Sequence, residues 1–196
     1  KYHEDFGYYH LPYALSFLEE KIIFGLANSN IAYTYNSIWL NVYPSFFTET
    51  KNYDFLTLPT FILFICFILL LTHNFLNSKD WRLSNLFSIV LIFYYLLKFT
   101  RISEFGVDLP SSLYSNLAIF YFIKFFETQD LDNKKNYFFL NTNFAVFSIL
   151  IKLSSFPIIL LTILLYLKNF KIFKKEYFQV KYMLIFFVTL VYYIQQ

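Results

Sequence analysis

Residues 55–76 run through the string FILFICFILLL without one Asp, Glu, Lys or Arg. About 20 apolar residues let a helix cross a hydrocarbon layer of ~30 Å. Inside such a layer each backbone amide must find its partner within the segment, which leaves the helix as its form. This run predicts an all-α, polytopic helical membrane protein, with 55–76 as its clearest span.

Composition extends the expectation to the rest of the chain. Charged residues make up 15% and hydrophobic ones 58%, with a mean hydropathy of +0.48. A soluble domain carries about 25% and about 45–50% respectively, so this chain has too little polar surface to cover a globule of its size. Further spans are expected at 83–97, 113–126 and 180–194. The apolar stretch 137–167 is too long for one upright helix. Lys152, Ser154, Ser155 and Pro157 interrupt it, so it predicts two short spans, 137–152 and 155–167, turning at the serine pair. About six transmembrane helices thus fill 55–196, and polar loops at 77–82, 98–112 and 127–136 connect them.

Residues 1–54 have a mixed character. Leu11, Leu15 and Leu18 lie on one face of a short amphipathic helix, and a second helix is expected from about residue 31 to 47, bent or ended by Pro44. The chain opens on Lys1 and stops as an apolar segment finishes, which predicts a fragment of a longer protein. Short-loop basic residues set the orientation. Lys79, Arg82, Lys134, Lys135, Lys168, Lys171, Lys174 and Lys175 fall on one side; Lys98, Arg101 and Lys152 fall on the other. The first side is expected to be cytoplasmic, which makes 1–54 an extracytoplasmic segment sharing the outer face with 98–112.

Other classes are excluded. The net charge of +3 is scattered along the chain, so no basic stripe exists to track nucleic acid. The single cysteine, Cys66, rules out an internal disulfide or a cysteine metal cage and is expected to be a buried small hydrophobe. The 28 Phe and 18 Tyr suit either sugar stacking or the codon bias of an AT-rich genome.

Two segments carry the candidate chemistry, HEDFGYYHLPY at 3–13 and KFTRISEFGVDLP at 98–110. They hold Gly7 and Gly106, two of only three glycines, together with Pro12 and Pro110, which suggests shaped loops. Glu4 and Asp5 form an acidic pair that suits either a general base or an ordinary solvated pair. Aromatic burial would raise such a carboxyl's pKa and a nearby cation would lower it. His3 and His10 lack the spacing of a metal site, so a divalent metal is not supported and no cofactor is expected. Lys98 and Arg101 suit a phosphate grip or plain snorkelling to headgroups, with Glu104 and Asp108 as loop charges or their partners.

An acidic pair in the first outer loop, a juxtamembrane amphipathic helix and a bundle of spans resemble the GT-C-type integral membrane glycosyltransferases. More narrowly, HEDFGYYHLPY, LEEKIIFGLANSN and RISEFGVDLP look like a group of uncharacterised bacterial multi-pass membrane proteins with an acidic-pair, YHLPY first outer loop. The resemblance implies a bacterial inner-membrane enzyme that moves a sugar from a polyprenyl-phosphate donor to an envelope glycan or lipid acceptor. It makes Asp5 the catalytic base and Glu4 its neighbour. Tyr9 and His10 join Lys98 and Arg101 as substrate-binding residues. The competing expectations are a transporter or flippase, which would place ionisable side chains inside its spans, and a non-catalytic subunit of envelope polysaccharide assembly.

Overall fold

A computed structural model describes residues 6–19, 37–46, 56–78, 80–103 and 105–169. All regular structure there is helical, as expected, and no strand occurs among the described residues. A π-helical turn, Phe6–His10, leads into α1, Leu11–Glu19. The longer helices are α2, Leu58–Leu76, α3, Leu83–Leu97, α4, Asp108–Glu127, α5, Leu131–Ile151, and α6, Ile159–Lys168. Short 3-10 segments, Tyr43–Phe46, Phe99–Ser103 and Leu153–Ile158, lie between them.

Local chemistry explains the boundaries. Pro59 sits in the first turn of α2, where a missing amide hydrogen costs nothing. Asp130 caps α5 by accepting from the amides of Asp132 and Asn133. That cap draws Leu131 and the polar residues 132–136 into the helix, so the loop expected at 127–136 shrinks to 128–130. Similarly, α4 starts at Asp108 and not at 113, with an acidic residue and Pro110 in its first turn. α5 stops at Ile151, Lys152 is extended, and the 3-10 segment containing Ser154, Ser155 and Pro157 turns the chain into α6.

Short connections at 77–82 and 128–130 lie at one end of an antiparallel bundle, called the lower end below. Segments 98–107 and 152–158 lie at the upper end. Phe64, Phe67 and Leu71 of α2 pack with Leu91 and Tyr95 of α3 and with Leu113, Leu117 and Phe120 of α4. The α4–α5 contact is built differently. Ser111 Oγ lies 3.2 Å from Ser148 Oγ and 2.6 Å from Ser155 Oγ, and Ser115 Oγ lies 2.5 Å from Ser148 Oγ. Asn141 donates to the Ala118 carbonyl at 2.8 Å and accepts from Thr162 of α6 at 2.8 Å. Gly and Ala are scarce, which predicts Phe-rich faces as the main glue; here Tyr114 and Tyr121 do pack on Phe144, with serine and asparagine adding a polar seam beside them.

Alongside this apolar core, polar side chains are buried and apolar stripes face outward. Ser84, Asn85, Ser88, Asn141, Ser148 and Thr162 are buried, while Ile62, Ile65 and Leu69 of α2 face outward. Leu83, Leu86, Val90, Phe93 and Leu97 form a comparable outward stripe on α3, and Leu160, Ile163, Leu164 and Leu167 one on α6. Cys66 shares the outward face of α2 and is exposed, contrary to the expected burial, because Phe64 and Phe67 take the inward positions beside it. By length and composition α2 is the one helix among the described residues able to cross a membrane, and α3 and the segment Leu153–Lys168 are shorter apolar helices. The expected last span, 180–194, lies outside the described residues.

Candidate functional site

At the upper end the two loop segments meet. α1 buries Tyr13 and Ala14, and His10 precedes them on the same side at helical spacing. The inward face is therefore not the one through Leu11 and Leu15, which stay half-buried. The expected second helix does not form over 37–46. Those residues make successive tight turns, Leu40 N to Ser37 O at 3.0 Å and Val42 N to Trp39 O at 3.0 Å, and then the 3-10 turn holding Pro44. Tertiary bonding holds them so, since the Ile38 amide donates to the Leu150 carbonyl of α5 at 3.1 Å.

An aromatic junction results. Trp39 Nε1 donates to Tyr43 Oη at 3.0 Å and lies 3.3 Å from Thr60 Oγ1 of α2. Tyr43 Oη in turn donates to the Gly106 carbonyl at 3.2 Å. The Tyr43 and Phe105 rings lie 4.2 Å apart, and His10 meets Phe105 edge-on at 6.2 Å. Burial pushes the Tyr13 phenol up to about 12. Burial likewise raises Tyr43, against the opposing effect of its bonds to Thr60 and Trp39. Glycine does not shape this junction. A Cβ on Gly106 would stand 3.7 Å from His10 Cε1, an ordinary contact, and one on Gly7 would meet nothing. The loops take their form from aromatic packing.

The sequence-derived site residues fall in different settings. His10 is buried against Phe105 and beside Gly106. Lys98 and Arg101 are exposed around the end of α3, where the Arg101 amide donates to the Lys98 carbonyl at 2.9 Å. Ile102, next to Arg101, is buried in the α2–α3–α4 core and anchors that turn. Asp108 pairs with Lys152 at 2.5 Å, not with Lys98 or Arg101, so the ion pair joins the start of α4 to the turn after α5. His3, Glu4, Asp5 and Glu104 lie outside the described residues, as does the side chain of Tyr9. No group of three or more His, Cys, Asp or Glu comes together among the described residues.

Sequence reasoning missed a polar cavity of about 520 Å³ at the lower end. Its signal was the polar side chains set within apolar helices, Asn74 in α2 and Lys124 in α4. No curated protein matches the chain. No solved structure matches it either. Residues 1–196 match one family throughout, and the chain belongs to that family, a domain of unknown function (DUF8201).

Proposed function

We propose that this chain is the helical bundle of a polytopic bacterial inner-membrane glycosyltransferase, with its transfer site at the upper, extracytoplasmic end. A polyprenyl-phosphate sugar reaches the site from the bilayer, and an envelope glycan or lipid is the acceptor. The observation that carries this reading is the junction at His10, Phe105 and Gly106. There the segment that follows the acidic pair packs onto the segment that carries Lys98 and Arg101. Asp5 removes the proton of the acceptor hydroxyl, with Glu4 beside it. Lys98 and Arg101, exposed where α3 ends, hold the donor phosphate. Tyr9 and His10 are the aromatic residues this reading assigns to binding the sugar, His10 from its edge-on contact with Phe105.

Membrane embedding beyond α2 is supported by the outward apolar stripes and the buried polar seam. Outward stripes of Leu, Ile, Val and Phe on α2, α3 and α6 are costly in water and at home against lipid. Buried Ser and Asn are the groups that join helices where the surroundings offer no hydrophobic drive. The deciding experiment measures sugar transfer by the full protein and its Asp5→Asn variant. General-base loss lowers the rate by about 100-fold or more, at unchanged protein level and gel-filtration profile. Unchanged transfer removes Asp5 from the reaction.

A second reading, movement of a lipid-linked substrate across the bilayer, is favoured by Lys124, which lies within α4 and faces a cavity between helices. Flipping of a lipid-linked sugar by reconstituted protein, with no sugar transferred, would establish it.

A further inference from the structure

The lower-end cavity lies between the end of α2, the connection that leads into α3, the end of α4 and the start of α5. Its size falls in the range of small-molecule sites, about 300–1,000 Å³. Lys124 projects into it from α4. Its Nζ donates to Asn74 Oδ1 at 2.8 Å and lies 5.8 Å from the Tyr137 ring centroid. An ammonium has three hydrogens, so one protein acceptor leaves donors unused.

Three acids at this end have hydrogen-bond or ion-pair partners of their own. Glu127, three residues on, accepts from the Ser84 amide at 2.7 Å and thereby caps α3. Asp130 is bonded to the first turn of α5. Asp80 reaches Arg82 at 3.5 Å on the cavity rim. Lys124 itself makes no ion pair among the described residues. Glu127 acts on this half-buried cation through space only, one turn along α4, so its direct hydrogen-bond partner is a neutral amide and its remaining donors can serve a bound anion.

The lining is rich in donors. Besides Lys124 and Arg82 it presents the side chains of Tyr121 and Tyr137, whose rings lie 5.9 Å apart, and the hydrogen-bonded pair of Asn77 and His73 at 2.8 Å. Asp80 is the one carboxylate in the wall. Such a set matches an anion with several acceptor oxygens, and the two tyrosine rings form a flat wall beside it. The volume exceeds what one phosphate fills, so a substituent on the phosphate has room.

We infer that this cavity is a binding site for a phosphate ester, held by Lys124 and Arg82 with its alcohol portion against Tyr121 and Tyr137. The site lies at the opposite end from the proposed transfer site and does not depend on that reaction. Two sources share this chemistry, a phospholipid headgroup and a soluble phosphate ester. The full protein in phosphatidylcholine nanodiscs is titrated calorimetrically with glycerol 3-phosphate, with and without phosphatidic acid in the disc. Binding that Lys124→Gln weakens at least about tenfold, and that Lys152→Gln at the upper end leaves intact, is the expected result. Suppression of that binding by phosphatidic acid, with lipid retained on the protein in native mass spectrometry, identifies a headgroup. Binding that phosphatidic acid leaves unchanged identifies a soluble ester. Should Lys124→Gln fail to fold, Arg82→Gln, an exposed loop substitution, is expected to weaken binding severalfold. Absence of binding by either probe, or binding unchanged in Lys124→Gln or in a folded Arg82→Gln, overturns the inference.

Discussion

Single side chains at the upper end set how this protein responds to alkali. Tyr13 is 4% exposed, and its phenol is pushed up to about 12 from an ordinary value of 10.0. A raised phenol favours the neutral form in the folded state. The stability linked to it is therefore complete below about pH 10 and is lost as the pH rises towards about 12. Tyr43 shifts in the same direction from the same cause. Alkaline absorbance titration of wild type against Tyr13→Phe should show the lost step near pH 12. A lost step near pH 10 would mean that Tyr13 is open to water. The Lys152–Asp108 pair bears far less weight, because its side chains are 40% and 70% exposed. Lys152→Gln should change stability by less than about 1 kcal/mol, as read from thermal unfolding.

At the scale of elements, helix ends and polar seams determine the packing. Asp130→Ala removes the cap of α5, and should cost about 1 kcal/mol in denaturant unfolding. Unchanged stability would show that α5 starts later, where the loop at 127–136 ends. The α4–α5–α6 seam depends on Asn141, whose amide is 0% exposed and bonded to both neighbours. Asn141→Leu leaves the Thr162 hydroxyl without its acceptor and forces branched carbons into a close contact. A loss of about 1–3 kcal/mol is expected, measured by the same unfolding. Asn141→Leu as stable as wild type would show that shape alone joins these helices.

For the whole molecule the decisive property is which end faces which compartment. Cys66 is exposed, so it must first be changed to serine for labelling to be clean. Ser154 at the upper end and Gln129 at the lower end are both exposed and tolerant positions for cysteine. In intact cells an impermeant thiol reagent should label Ser154→Cys and spare Gln129→Cys. The reverse pattern would turn the acidic loop towards the cytoplasm and remove the transfer reading with it. The lower-end cavity would then open outward.

Periodicity and punctuation carried the all-α character, the long apolar helix at Leu58–Leu76 and the break near Ser154 and Ser155. These are local properties, decided by apolar run length and by backbone chemistry within a few residues. Helix starts were less legible, because Asp130 and Pro110 extend α5 and α4 through residues whose polarity alone reads as loop. Tertiary structure alone decided which faces turn inward. It made Cys66 exposed and Ser148 buried, turned α1 onto Tyr13 and Ala14, and set 37–46 in turns against the end of α5. It also joined His10 to Phe105 and placed Lys124 in a cavity walled by α2, α5 and the connection before α3. Long-range pairing selects among faces of similar apolarity, and no local pattern encodes that choice when nearly every face of a helix is apolar.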